Sequence, residues 1–144
     1  MSLDSTCIFC KIIQGEIPSA KVYENEKVLA FLDISQVTKG HTLVIPKVHM
    51  KDIFEMSTEV AADLFSVVPE IASTIKKQCN ADGVNVLNNN GETAGQTVFH
   101  PHIHIIPRYG RQDGFHPTFQ ENNNKYTGED LQKIAAQIAA GFEL

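Results

Sequence analysis

Three histidines recur at every second position of the stretch HPHIHIIPR, which spans residues 100 to 108. His100, His102 and His104 make up half of the six histidines in the chain. An imidazole is titratable near neutral pH and can serve as a metal ligand, a nucleophile or a proton carrier. The first question is therefore which of these tasks the three residues perform.

A strand predicted over Thr97–Ile106 would place the three histidines on one face, because alternate side chains of a strand share a face. His100 and His104 would then lie about 13 Å apart at Cα. One tetrahedral zinc ion, with Zn–N bonds of about 2.0–2.1 Å, cannot accept all three without bending the strand. At least one histidine is predicted to be free of metal. The opposite face, which we assign to the core, takes Phe99, Ile103 and Ile105.

The segment just before the histidines is rich in neutral hydrogen-bond donors and glycine. Asn89, Gln96 and Thr97 offer donors without a lysine cluster, and Gly91 and Gly95 allow the backbone to approach a ligand closely. This composition favours one phosphate that passes through the site over a permanently held anion. A free imidazole beside such a phosphate would act as a nucleophile.

A second motif, Cys7-Ile8-Phe9-Cys10, carries two of the three cysteines. An odd number of cysteines argues against a disulfide framework. The pair is typical of half a zinc site, which needs two further ligands and is commonly Cys₂His₂. A redox pair and two unliganded thiols are the alternatives. The third cysteine, Cys79, is expected to be inert.

The hydrophobic pattern predicts an α+β fold in one domain over 1–144, with a five-stranded antiparallel meander sheet. A flexible terminus is expected over 1–6 and a long loop over 107–126. Glycine and proline set most of the boundaries. The predicted helices are Cys7–Gln14, the long Ser57–Cys79 and a C-terminal helix with its tail over 127–144; the other predicted strands are Ala20–Tyr23, Val28–Asp33, 41–46 and Gly83–Leu87.

Composition narrows the class of partner. The net charge of −5 disfavours binding to a nucleic-acid backbone but permits a small nucleotide. No apolar run reaches the roughly 18 residues of a membrane helix. The polar first ten residues do not look like a signal peptide. A cytoplasmic protein without membrane or nucleic-acid partners is expected.

The stretch HPHIHII resembles the motif of the histidine triad (HIT) family, in which three histidines alternate with apolar residues. CIFCKII, FLDIS, GHTLVIPKVH and LNNNGETAGQTVFHPHIHIIPR also resemble family segments, in the same order. The resemblance is greatest to the Hint-like branch, in its bacterial zinc-containing form. It implies a HIT-like fold, a homodimer and a purine nucleotide as substrate.

The resemblance also implies roles for individual residues. His102 would be the nucleophile that attacks an α-phosphate, forms a nucleotidyl-histidine and releases a nucleoside monophosphate. Asp33 would bind the ribose hydroxyls, and His41 would be a buried histidine near the triad. Zinc would be structural, one ion per chain, bound by Cys7, Cys10, His49 and His100. Contacts with the phosphate or leaving group would come from His104, Asn89, Gln96 and Thr97, and the apolar cleft for the base from Ile8, Phe9, Ile12, Phe31 and Leu43.

Several functions fit the same residues. The favoured reaction is hydrolysis of nucleoside phosphoramidates or related conjugates. Hydrolysis of dinucleoside polyphosphates and nucleotidyl transfer are alternatives within the superfamily. A zinc hydrolase with catalytic histidine ligands and a non-enzymatic nucleotide-binding module are alternatives of other classes. Pro101 departs from the Hint pattern and predicts an edge or a bulge, because proline removes a ladder hydrogen bond.

Overall fold

The computed structural model describes residues 2–142 and confirms the α+β prediction. A five-stranded antiparallel sheet combines with one long helix and two shorter ones. Two short 3₁₀ turns, Ile53–Glu55 and Glu92–Ala94, lie in the connections. The strands are β1 Lys21–Glu24, β2 Val28–Leu32, β3 Thr42–Pro46, β4 Gly83–Leu87 and β5 Ile103–Arg108, and the helices are α1 Ile8–Ile13, α2 Thr58–Gln78 and α3 Gly128–Ala139.

The strand order is β1-β2-β3-β5-β4, so the sheet is a meander only through its first three strands. The chain leaves β3, runs through α2 and returns as β4 at the edge of the sheet. β5 then inserts between β3 and β4, which corrects the predicted meander. A connection as long as α2 permits this because it can cross the sheet before the next strand begins. The last strand, which contains His104, is thereby interior to the sheet.

The two faces of the sheet carry different layers. On one face, Ile103 and Ile105 of β5 belong to the buried core formed with α2. On the other face, Phe9 of α1 packs with Phe31 and Leu43 of the central strands. Because side chains alternate along β5, His104 faces the α1 layer while its two isoleucine neighbours face α2. The site described below therefore lies on the α1 face.

The strand boundary in the histidine motif differs from the prediction. β5 begins at Ile103, so His100 and His102 precede the strand, and Pro107 lies within it instead of ending it. Pro101 falls in the irregular segment, where its missing N–H breaks no ladder bond. The predicted edge or bulge at Pro101 is therefore wrong, as is the core assignment of Phe99, which is 41% exposed.

The loop after β5 occupies 109–126 and begins with an ion pair between Arg108 and Asp113 at 2.8 Å. α3 follows with a capping box at Thr127, as its Thr-x-x-Asp sequence favours. No residue of α3 is buried, and an apolar stripe that includes Leu131 and Ile138 faces outward. The predicted tail at residues 143 and 144 lies outside the described residues. Within 2–142, no helix combines the length and apolar character of a membrane span.

Candidate active site

The N-terminal helix brings two cysteines to the histidine segment. Cys7 caps α1 through its side chain, which accepts from the Cys10 N–H, so both thiols lie at the first turn. Cys7 Sγ lies 3.6 Å from His100 Nδ1, and Cys10 Sγ lies 3.4 Å from His49 Nδ1 and 3.6 Å from His100 Nδ1. The four ligand atoms all lie within 4.8 Å of one another. The structure therefore assembles the complete predicted metal-binding set.

These separations fit a tetrahedral zinc ion. Bonds of about 2.3 Å to sulfur and 2.0–2.1 Å to nitrogen, at a tetrahedral angle, put S and N about 3.6 Å apart. The second ring nitrogen of His100 donates to the Pro46 carbonyl at 2.9 Å, which leaves a lone pair on the Nδ1 atom that faces the thiols. Burial lowers the pKa of His100 to about 4, so the imidazole is neutral, as a metal ligand must be.

His102 has the opposite arrangement of its ring nitrogens. Its Nδ1–H donates to the His100 carbonyl at 2.8 Å, so a neutral His102 carries its lone pair on Nε2. Burial lowers the pKa of His102, which keeps that nitrogen unprotonated at neutral pH. The prediction that a backbone carbonyl orients this ring is confirmed. His102 is thus able to act as a nucleophile through Nε2.

His104 belongs to a short hydrogen-bonded relay. The Val37 N–H donates to His41 Nδ1 at 3.3 Å, so a neutral His41 has its proton on Nε2. That atom lies 2.9 Å from His104 Nδ1 and donates to it, which places the remaining proton of His104 on Nε2. Burial and the neighbours His102 and His41 lower the pKa of His104 to about 4. His104 therefore presents an N–H donor without a positive charge.

A mainly apolar cleft of about 560 Å³ opens beside this relay. Asp33 lies in its wall, with its Oδ2 atom 3.8 Å from His41 Nε2. The Phe9 ring lines the cleft and also contacts His102, since the two ring centroids lie 5.1 Å apart. Sequence reasoning missed some of the wall because several of its residues lie outside helices and strands, where no periodicity indicates the direction of a side chain. All five predicted apolar residues, Ile8, Phe9, Ile12, Phe31 and Leu43, line the cleft, and the missed ones include Ile17, Ile34, Gln36 and Val98.

The loop before the histidines carries the three residues predicted to donate to a phosphate, and one of them has no free side-chain donor. The Gln96 side chain is fully used: its Oε1 accepts from Gly91 N–H, and its Nε2 donates to the Lys51 and Val98 carbonyls. The Gln96 side chain therefore stabilises the loop, and its amide has no free N–H for the predicted contact with a phosphate. Thr97 is exposed. Asn89 is half-buried beside Gly95, whose φ of +94° places it in the left-handed region.

Comparison with protein-family models places residues 14–111 in the HIT domain family. The chain belongs to the HIT family. Its relatives include Protein hit of Bacillus subtilis, 58% identical over 139 residues and covering 96% of both chains. The adenosine 5'-monophosphoramidase hnt1 of Schizosaccharomyces pombe is 45% identical over 76% of this chain and 79% of its own. The adenylylsulfatase HINT3 of Arabidopsis thaliana is 46% identical over 76% of this chain and 56% of its own.

Solved HIT structures share the fold. A HIT family protein from Bacillus anthracis superimposes with a TM-score of 0.92 at 62% identity, covering 96% of this chain and 99% of the other. A Zn-bound histidine triad family protein from Mycobacterium smegmatis superimposes with a TM-score of 0.72 at 37% identity, covering 95% and 98%. The family resemblance and the predicted HIT-like fold are thus confirmed.

Proposed function

We propose that this HIT protein is a nucleotide hydrolase that cleaves at the α-phosphate of purine nucleoside phosphoramidates or related conjugates. The observation that carries the proposal is the opposed use of the ring nitrogens in His102 and His104. One imidazole offers a lone pair and the next offers an N–H. His102 contacts Phe9 and His104 pairs with Leu43, and both of these partners line the apolar cleft. Relatives named as an adenosine monophosphoramidase and an adenylylsulfatase support the same chemistry.

In the proposed reaction, His102 Nε2 bonds to the α-phosphorus as the bond from phosphorus to the leaving amine breaks. The amine departs with a proton taken from solvent. Water then attacks the nucleotidyl-histidine and loses a proton to solvent, the P–N bond to His102 breaks, and a nucleoside monophosphate leaves with the imidazole neutral again. The Nε2–H of His104 donates to a phosphate oxygen as charge develops. Asn89 and Thr97 are proposed as further donors, and Asp33 as the acceptor for the ribose hydroxyls.

Zinc is proposed as a structural ion bound by Cys7, Cys10, His49 and His100. It would fix α1, which supplies Phe9 to the cleft wall, against the segment that begins the histidine motif. The four side chains would fill all four positions of a tetrahedral ion, which is typical of structural sites and would leave no place for substrate. This arrangement disfavours the alternative of a zinc hydrolase.

The test of the hydrolase is the turnover of adenosine 5'-phosphoramidate by the wild type and by His102→Ala. We expect His102→Ala to lose at least about 10⁴-fold in kcat/KM, since a covalent nucleophile is not replaced by its neighbours. His116→Ala, in the exposed loop after β5, is the control and should match the wild type. Equal rates for His102→Ala and the wild type would reject the proposal, and nucleotide binding without turnover would favour a non-enzymatic module.

A homodimer is proposed as the working form. The outer edge of β4 is open in the single chain, with Val86 52% exposed. The apolar stripe of α3 also lacks buried residues. Both surfaces would become buried against a second copy.

A cytoplasmic location is proposed as well, because all three cysteines are free thiols.

A further inference from the structure

The segment that carries the nucleophile has little regular backbone support. β4 and β5 pair from Gly83↔Arg108 to Leu87↔His104, and continuation of this register would pair Asn89 with His102. The pairing ends first, so His102 lies one residue before β5. Its neighbour Pro101 has no N–H to donate. Another group must therefore hold the backbone of the nucleophile.

Asn88, the first residue after β4, supplies that support. Its Nδ2 donates to the His102 carbonyl at 3.1 Å, which adds a bond where the ladder has stopped. The amide of Asn90 donates to Asn88 Oδ1, and the Ile53 N–H donates to Asn90 Oδ1 at 2.8 Å. The chain of hydrogen bonds thus runs from the 3₁₀ turn Ile53–Glu55 to the nucleophile.

The direction of this chain is fixed at both ends. A backbone N–H can only donate and a carbonyl can only accept, so the Ile53 N–H and the His102 carbonyl together determine both amide orientations. Aligned amides polarise one another, which strengthens each bond. The Ile53 turn also follows closely after His49, a proposed zinc ligand. The network therefore connects the backbone of His102 to a second anchored segment.

We infer that Asn88 is a positioning residue for His102, oriented by Asn90. The inference rests on the proposed function, because it concerns the same nucleophile. Asn88 does not need to touch the substrate. Its amide donates to the carbonyl of His102, while the His100 carbonyl accepts from the ring. Together these bonds fix the orientation of Nε2 toward the substrate. A displacement of about 1 Å in such a group can cost up to 10²-fold in rate.

The experiment measures kcat and KM for adenosine 5'-phosphoramidate in Asn88→Ala, Asn88→Asp and Asn85→Ala. We expect Asn88→Ala to lower kcat about 10-fold with KM changed less than about twofold. Asn88→Asp keeps the shape but turns an acceptor toward the carbonyl, so kcat should fall at least as far. Asn85→Ala is the control and should match the wild type, because Asn85 lies on β4 and its Oδ1 accepts from Arg108 at the surface.

The Asp variant separates positioning from packing. If Asn88 only filled space, the isosteric Asp would retain kcat and Ala would lose stability, and that result would overturn the inference. A rise in KM alone would indicate phosphate repulsion and would also overturn it. Should Asn88→Ala fail to fold, Asn90→Ala takes its place, with an expected loss of about threefold in kcat; an unchanged kcat there rejects the role.

A readout without substrate keeps this inference distinct from the hydrolase proposal. The ¹⁵N imidazole signals of His102 report its tautomer and its order. They should shift or broaden in Asn88→Ala and stay as in the wild type in Asn85→Ala. If the wild type fails to hydrolyse the phosphoramidate, the hydrolase proposal fails while these signals still test Asn88. Unchanged signals in Asn88→Ala would overturn the positioning role.

Discussion

The two clusters on either side of His102 each contain two histidines, and these histidines behave in opposite ways. In the cluster of Cys7, Cys10, His49 and His100, four ligand atoms lie within 4.8 Å of one another. In the relay of His41 and His104, a proton lies between the rings, whose facing nitrogens are 2.9 Å apart. The first arrangement suits a cation, and the second suits an anion.

The difference arises from the partner of the other ring nitrogen. The Pro46 carbonyl accepts a hydrogen bond from Nε2–H of His100, and the His100 carbonyl accepts one from Nδ1–H of His102. The Val37 N–H donates to Nδ1 of His41. Backbone groups thus decide which nitrogen of each neutral imidazole carries the proton and which keeps its lone pair. The predictions that follow test whether the two clusters can be disabled separately.

The largest effect is expected from Cys10→Ser, which removes a buried ligand of the metal cluster. Metal content should fall from one zinc per chain toward zero, and the thermal midpoint should fall by about 10 °C or more, because a tightly bound ion stabilises by about 4 kcal/mol at 1,000-fold excess over Kd. Elemental analysis and calorimetry measure these changes. Cys79→Ser is the control and should keep the metal. A Cys10→Ser protein with full metal content would contradict the assignment.

A smaller effect, on rate instead of stability, is expected from His104→Ala. Loss of its Nε2–H should lower kcat about 10²-fold, near the value for removal of one transition-state donor. Metal content should stay at the wild-type level. His104→Gln, which restores an N–H donor, should recover part of the rate. If His104→Ala also lost its zinc, the two clusters would not be independent.

The smallest effect is on the pH dependence of stability. The pKa of His104 falls from 6.5 to about 4 on folding, through burial first and then through His102 and His41. The unfolded chain therefore binds more protons than the folded chain between these values, and stability is lost as the pH falls below 6.5. After allowance for partial exposure, the loss at pH 5 relative to pH 7 should be about 1 kcal/mol from this residue.

Urea unfolding at pH 7 and pH 5 measures this loss in the wild type and in His104→Gln. Only the difference between the two proteins is used, because acid would also weaken the binding of a zinc ion in both. The wild type should lose more stability than the variant. Equal losses would show that burial of the relay does not suppress protonation of His104.

Much of the site could be predicted because its chemistry is carried by short motifs. Cys7 and Cys10 lie one helical turn apart, and the apolar residues of α1 reveal their face. The first residue of β5 could not be predicted, since Pro101 and the contacts of His100 with distant cysteines decide it. The full use of the Gln96 amide was likewise hidden, because two of its partners, Gly91 and Lys51, come from different loops.

Asn88 is the clearest example of a role that depends on contacts with residues distant in the sequence. In the sequence it is one of three consecutive asparagines, and nothing local separates its role from that of Asn89. Only the end of the β4–β5 register turns one amide toward the His102 carbonyl.

The metal cluster also has a consequence for the chain as a polymer. Its contacts join Cys10 to His49 across 39 residues and to His100 across 90 residues. An ion held there would close two long loops at once and would restrict the unfolded chain much as disulfides do, since closing longer loops removes more entropy. Unlike a disulfide, this cross-link forms without an oxidant and is released by a chelator. A protein without disulfides would thereby have a reversible cross-link between its first helix and the segment that carries His102.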